Sequence, residues 1–271
     1  MEKNGGIFQN QVDGVKKIIF IGTSSGFPSR YRASSSFILS ADDKLYQFDA
    51  GEGFSGSALR NRIKYNNIEK IFISHLHPDH ITGIFLELQM MYLDGRKKPL
   101  DIYVPREALD GLQKAMDLFY LFKEKFPFCY RFKPLKPNPA FRAQSFSLYV
   151  YPNLHLEDNG IFIRKKRKPN KMQSYGYMIN INGKRILYSG DVSNENDLID
   201  HLGNVHTLIV DGFHIDFQSL VEMTTARKVK RLVLTHLEDK LFDNPRKLFK
   251  IAEKAGVRKL IIAYDGLILR I

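Results

Sequence analysis

Short apolar runs recur along the chain at strand length, over residues 17–21, 36–39, 44–48, 71–73, 102–104, 147–151, 177–181, 185–188, 207–210, 231–234 and 260–263. Between several of them lie helix-like stretches, at 84–93, 106–123, 217–228 and 245–255. The helices follow strands instead of forming one block, which predicts helix layered on sheet, an α/β or αββα architecture. Ile84, Leu88 and Met91, with Phe85 and Met90 beside them, predict a helix face packed into the core. The aromatic stretch Phe119-Tyr120-Leu121-Phe122, followed by Phe126-Pro127-Phe128, is likewise read as core, with a pocket or a homodimer interface as the alternatives. No linker rich in Pro, Gly or Ser divides the chain and no repeat of fixed period is present, so a single domain over 1–271 is expected. The one low-complexity stretch, Arg164 to Lys171, lies between strand-like segments at 161 and 177 and predicts the tip of an exposed hairpin or loop.

Composition narrows the class. At 271 residues, with 44% hydrophobic and 12% aromatic, the chain can bury a sizeable core as one unit. A single cysteine, Cys129, excludes an internal disulfide. The start Met1-Glu2-Lys3-Asn4 lacks the charged-then-apolar pattern of a signal segment, and no apolar run approaches the roughly 20 residues needed to span a bilayer. A cytoplasmic protein without a membrane partner is expected. The net charge of +12, from 41 Lys and Arg against 29 Asp and Glu, would steer a phosphate or polyanion toward the surface. A solvated basic surface gives the same count.

Chemistry concentrates in His75-Leu76-His77-Pro78-Asp79-His80, directly after the apolar run Lys70-Ile71-Phe72-Ile73-Ser74. Three imidazoles and a carboxylate crowded at a strand end suit two borderline metal ions in a hydrolytic site. In an extended segment His75 and His77 point to one side and share an ion, while Pro78 bends the chain and carries Asp79 and His80 toward another. Two ions need more ligands than this. Candidates stand near the ends of later strand-like runs: His155, Asp191 and His236. Alone, each reads as an ordinary hydrogen-bonded histidine or a turn aspartate. His201 and His206 lack ligand spacing and read as structural.

These residues resemble the metallo-β-lactamase superfamily, whose His, His, Asp, His spacing is matched at 75–80, with similarity running from Gly22 to Asp265. The resemblance implies the four-layer αββα metallo-β-lactamase fold and two Zn2+ ions, with Mn2+ or Fe2+ as alternatives. It implies His75, His77 and His155 on the first ion, Asp79, His80 and His236 on the second, and Asp191 bridging. Asp49, in Phe48-Asp49-Ala50-Gly51-Glu52-Gly53, would orient a ligand histidine. A metal-bridging hydroxide would attack a phosphodiester in line, with Asp79 as ligand and proton acceptor.

Within the superfamily, three segments are similar to RNase Z, the tRNA 3′-end endonuclease: Gly22 to Ala33, with the loop Pro28-Ser29-Arg30-Tyr31-Arg32-Ala33; Asp49 to Gly53; and Ser74 to Gly83. RNA or tRNA is then the expected partner. The interval from His155 to Asp191 is too short for that family's protruding arm, and Arg164–Lys171 stands in its place. Val210-Asp211-Gly212-Phe213-His214 resembles instead phosphodiesterases acting on small cyclic phosphates or nucleotides, with His214 as the acid that protonates the leaving group. Arg30 and Lys240 are candidate phosphate clamps. Thioester or lactone hydrolysis, and a non-catalytic nucleic-acid-binding scaffold, remain as further readings.

Overall fold

The computed structural model describes residues 15–137 and 141–271; the stretch Met1-Glu2-Lys3-Asn4, read above for its lack of a signal pattern, lies outside them. The amino-terminal half supplies β1 (Lys17–Gly22), β2 (Ser36–Ala41), β3 (Lys44–Phe48), β4 (Ile68–Phe72), β5 (Leu100–Val104) and β6 (Tyr130–Pro134). The second half supplies β7 (Phe141–Arg142), β8 (Phe146–Pro152), β9 (Tyr175–Ile181), β10 (Lys184–Tyr188), β11 (Val205–Asp211), β12 (Arg231–Thr235) and β13 (Leu260–Ile262). The last strand, β14 (Ile268–Arg270), returns to the first sheet beside β1. Helices α1 (Phe54–Arg60), α2 (Pro78–Ile81), α3 (Gly83–Leu93) and α4 (Leu109–Leu118) belong to the first half, and α5 (Gly160–Lys166), α6 (Phe217–Ala226), α7 (Asp239–Asp243) and α8 (Arg246–Lys254) to the second.

Among the described residues the result is two mixed sheets of seven strands, ordered β14-β1-β2-β3-β4-β5-β6 and β13-β12-β11-β10-β9-β8-β7. Each has antiparallel pairing on one side, through β14/β1/β2/β3 and β7/β8/β9/β10, and parallel pairing on the other. Both faces of each sheet are covered. Phe20, Phe37, Phe48 and Phe72 meet Leu148, Tyr177, Tyr188 and Ile209 between the sheets. On the outer faces, Ile19, Ile21 and Ile71 pack under Phe54, Ile84 and Leu88, and Leu208, Val210 and Leu232 pack under Leu220, Val221 and Leu248. Alternate residues of β1 therefore serve two cores, which is why its sequence is a continuous apolar run. The layering is αββα, as the spacing of elements predicts.

Several local expectations fail for identifiable reasons. Residues 161–163 are helical, not strand-like: they form α5, whose last turn carries Arg164, Lys165 and Lys166, and only Arg167 onward is loop. Three basic residues at a helix C-terminus complement its dipole, which the sequence presents as mere low complexity. The helix expected over 106–123 ends at Leu118, with Tyr120 left-handed at φ 58°. Phe119 and Tyr120 are 54% and 76% exposed and so are not core, although Phe128 is buried. No helix of the described residues is long and apolar enough to cross a membrane.

Candidate metal centre

Parallel strands deliver their following loops to a common edge, and the polar residues gather where those strands end. Asp49 follows β3, residues 75–80 follow β4, His155 follows β8, Asp191 follows β10, Asp211 closes β11 and His236 follows β12. Asp49 and His236 both adopt left-handed backbone, at φ 57° and φ 58°. Such conformations cost roughly 1–3 kcal/mol and concentrate where a side chain must be aimed. Gly83 lets α3 start against Gly51: a Cβ at Gly83 would overlap the Gly51 carbonyl oxygen.

Two groups of ligand atoms result, each within 4.8 Å: His75, His77, His155 and Asp191, and Asp79, His80, Asp191 and His236. Asp191 belongs to both. Its Oδ2 lies 3.9 Å from His75 Nε2, 3.7 Å from His155 Nε2 and 3.3 Å from His236 Nε2, while its Oδ1 lies 3.1 Å from His80 Nε2. His77 Nδ1 faces His155 Nε2 at 3.0 Å, and Asp79 Oδ2 lies 3.4 Å from His80 Nε2 and 3.7 Å from His236 Nε2. Atoms placed tetrahedrally about one zinc at roughly 2.0–2.1 Å stand about 3.3–3.4 Å apart, so these spacings suit ligands that surround a cation.

The opposite ring nitrogens are already engaged. Ser74 Oγ lies 3.0 Å from His75 Nδ1, Asp49 Oδ2 lies 3.0 Å from His80 Nδ1, and Ser35 Oγ lies 2.8 Å from His236 Nδ1. The Val192 carbonyl faces His155 Nδ1 at 3.4 Å. Each Nε2 is thereby left for the interior of the site. The Nε2 atoms of His75 and His80 and Oδ2 of Asp79 are buried without a hydrogen-bond partner. Orphaned donors and acceptors of this kind are costly unless something occupies the space between them. The donor set, imidazole and carboxylate, fits divalent cations of the zinc, manganese or iron(II) type.

Burial pushes His75, His77 and His155 below the ordinary imidazole value and so holds them neutral, the form that ligates. Burial opposes charge on His80 as well, but the carboxylates of Asp191 and Asp49 outweigh it and hold that imidazole well above its usual value. For Asp191, burial favours the neutral acid, yet His236 and His80 outweigh it and keep the carboxyl well below the usual range.

Of the residues singled out by sequence, the structure brings His75, His77, Asp79, His80, His155, Asp191 and His236 into these groups. It sets His214 beside them. His214 Nδ1 faces Asp211 Oδ2 at 2.7 Å, and His214, Asp211, Asp191 and His236 form a third overlapping group. Burial lowers the His214 pKa, but the hydrogen bond and charge of Asp211 outweigh that and raise it. Arg30 and Lys240 line a cavity of about 450 Å³ with Ser25, Phe27 and Tyr31. It adjoins the second group through Gly26, whose Cβ would sit 3.5 Å from Asp79 Oδ2. Arg32, from the same loop, is spent on structure: its guanidinium donates to the Thr23 and Leu237 carbonyls and to Asp239. His201 stacks on Tyr151 and His206 meets Thr207, both outside the ligand groups.

Sequence reasoning missed the residues that hold Asp49. Its carboxylate accepts from the Ser74 backbone N–H at 2.6 Å, the Ser74 hydroxyl at 3.0 Å and the Tyr188 hydroxyl at 2.6 Å. Its carbonyl accepts from Gln47 Nε2 at 3.0 Å, and the same amide donates to Glu87 at 2.9 Å. Nothing in the order of residues 47, 87 and 188 signals this grouping. Burial pushes the Glu87 carboxyl from 4.5 up to about 8, against the opposing Gln47 hydrogen bond and Arg96 charge. Between those values the folded chain keeps a proton that the unfolded chain releases, so rising pH favours unfolding, by up to about 1.4 kcal/mol per pH unit. Glu87→Gln is expected to remove this slope. In chemical denaturation at pH 5, 7 and 9, its stability relative to wild type should climb with pH; a constant difference would contradict the buried-acid assignment.

The two-sheet fold and the shared-carboxylate ligand groups define a metal-dependent hydrolase of the metallo-β-lactamase fold, similar to ribonuclease Z. The family described as anti-Pycsar protein Apyc1 matches residues 16–252, and the chain belongs to that family. Ribonuclease Z of Methanococcus maripaludis (strain C6) is 25% identical over 283 aligned residues, covering 92% of this chain and 87% of that protein. Among solved structures, the metallo-β-lactamase fold protein YhfI from Bacillus subtilis matches with a TM-score of 0.74 and 20% identity, over 94% of this chain and 99% of that one. Human tRNase Z, short form (ELAC1), matches with a TM-score of 0.71 and 21% identity, over 93% and 98%.

Proposed function

We propose that the chain, as a single domain over 1–271, is a dinuclear zinc phosphodiesterase that hydrolyses a small phosphodiester of the cyclic-nucleotide class. The family description is carried over in the same terms: activity against Pycsar would be phosphodiester hydrolysis at this centre. The observation that carries the reading is Asp191, shared by two ligand groups, with the Asp211–His214 pair beside it. His75, His77 and His155 would hold one cation, Asp79, His80 and His236 the other, and Asp191 both. Bound there, such a pair of ions activates water and neutralises phosphoryl oxygens.

The chain's own residues supply the rest. Asp49, Ser74 and Ser35 fix the imidazole orientations. Asp79, whose carboxyl stays below its usual value because the charges of His80 and His236 outweigh its burial, is ionised and able to take a proton. His214, whose Nδ1 lies 2.7 Å from Asp211 Oδ2 and 3.9 Å from Asp191 Oδ2, stands at the edge of the centre and would protonate the leaving oxygen. A small substrate is favoured by the interval from His155 to Asp191, which holds a seven-residue helix and the paired strands β9 and β10 in place of a protruding arm. Thioester and lactone hydrolysis, and a scaffold role, have no comparable support.

Cleavage of tRNA 3′ ends is the second reading, favoured by the Ribonuclease Z relative aligned along 92% of the chain. One zinc-reconstituted assay separates the two: precursor tRNA against 2′,3′-cyclic and 3′,5′-cyclic nucleotides. Turnover of a cyclic nucleotide with intact precursor is expected. Cut precursor with intact cyclic nucleotides would reverse the order, and no turnover of either would end the phosphodiesterase reading.

A further inference from the structure

A cavity of about 400 Å³ opens beside the first ligand group, with His77 itself and Leu76 on one wall. Leu156, Phe162 and Ile163, from α5 and the turn before it, form the facing wall. Lys168, Asn170 and Met172 come from the loop that follows α5. This loop is fixed rather than loosely draped. The Glu107 carboxylate accepts the backbone N–H groups of Lys171 at 2.6 Å and Gln173 at 2.8 Å, and the Glu107 N–H donates back to the Gln173 carboxamide at 3.0 Å. The Lys168 N–H caps α5 by donating to the Ile163 carbonyl at 3.0 Å, after Arg167 turns left-handed at φ 50°. Met172 folds back over Gly160, where a Cβ would stand 3.4 Å from its sulfur. The cavity walls are thus set before any ligand arrives, which lowers the ordering cost of binding.

Its chemistry is selective. Phe162 is 55% exposed and borders the cavity, so its ring is open to contact with a flat partner. Apolar walls suit a planar ring. Asn170 offers both a donor and an acceptor and Lys168 a donor, the pattern needed at the edge of a heterocycle bearing carbonyl and ring-nitrogen groups. An alkyl or acyl chain would leave both polar side chains without a use. Volume also fits, since cavities of roughly 300–1,000 Å³ take ligands of this size.

Building on the phosphodiesterase reading, we propose that this cavity is the base subsite of the enzyme. The nucleobase of a nucleotide phosphodiester stacks on Phe162, Asn170 and Lys168 meet its polar edge, and the phosphodiester reaches the ligand groups past His77. Phe162 is then a specificity-determining residue that touches the substrate and takes no part in bond cleavage.

The test compares zinc-reconstituted wild type, Phe162→Ala and Phe162→Tyr on a nucleoside 3′,5′-cyclic phosphate and on methyl riboside 3′,5′-cyclic phosphate, which lacks only the base. Phe162→Ala should raise KM for the nucleotide roughly 5- to 150-fold, the factor carried by one base–aromatic stack. It should leave kcat/KM for the base-free diester unchanged, and Phe162→Tyr should restore the wild-type KM. Equal effects on both diesters, or none on either, overturn the subsite. Calorimetric binding of a slowly hydrolysed cyclic phosphorothioate keeps the two proposals separable. Phe162-dependent affinity without turnover overturns the catalytic reading alone, whereas a Kd unmoved by Phe162→Ala overturns the subsite.

Discussion

If the centre is dinuclear as proposed, Asp191→Asn is expected to lower the metal content of the purified protein from two ions per chain to one or none, and to reduce phosphodiester hydrolysis by on the order of 10³-fold or more. The reason is geometric. Asp191 alone belongs to both the His75/His77/His155 group and the Asp79/His80/His236 group, sending Oδ1 toward His80 and Oδ2 toward His75, His155 and His236. At 2% exposure its oxygens face these neighbours and not solvent. Asparagine keeps the volume and one carbonyl oxygen but loses the charge that a shared ligand must spread over two cations. Elemental analysis after dialysis, beside turnover of bis(p-nitrophenyl) phosphate, checks the two effects separately. Wild-type metal content with wild-type turnover would sink the shared-ligand assignment.

A second large effect is expected at His214. As a proton donor to the leaving oxygen it should contribute about 10²- to 10⁴-fold, but only where the leaving group needs a proton. His214→Ala should therefore cripple hydrolysis of a cyclic nucleotide, whose leaving group is an alkoxide, and affect bis(p-nitrophenyl) phosphate far less, since nitrophenolate departs unaided. Asp211→Asn should reproduce part of the defect, because the Asp211 contact at 2.7 Å orients the imidazole and favours its protonated form. Metal content should not change in either variant. Equal losses on both substrates would demote His214 to a positioning residue, and loss of metal would make it a ligand, as its place in the third overlapping group allows.

The legibility of these residues in the sequence follows their spacing. The hexapeptide at 75–80 announces itself because its donors are local: two residues on one side of an extended strand end, then a proline-started helix that carries Asp79 and His80 to the next group. His155, Asp191 and His236 were visible only as polar residues at strand ends, and His214 only by resemblance. Gln47, Glu87, Ser35 and Tyr188 gave no signal, although they bond to Asp49, to Gln47 or to His236. The same limit explains the missed repetition. Both sheets pair three antiparallel neighbours and then three parallel ones, yet no period survives in the residues, because burial constrains polarity and not identity.

What the sequence determined by itself was the layered α/β class, through helix-like stretches that follow strand-length apolar runs, and the metal chemistry, through four donors in six residues. Only tertiary structure gave a geometric basis for Asp191 in both groups, which the sequence offered through resemblance, and it alone decided that Arg32 is a structural residue while Phe162 stands open beside His77, and that a buried glutamate braces the loop of Asp49. The difference is one of range. Strand periodicity and local ligand spacing act over a few residues and are written in order along the chain. A carboxylate shared between two groups depends on the register of β4, β8, β10 and β12 across two sheets, which only packing fixes.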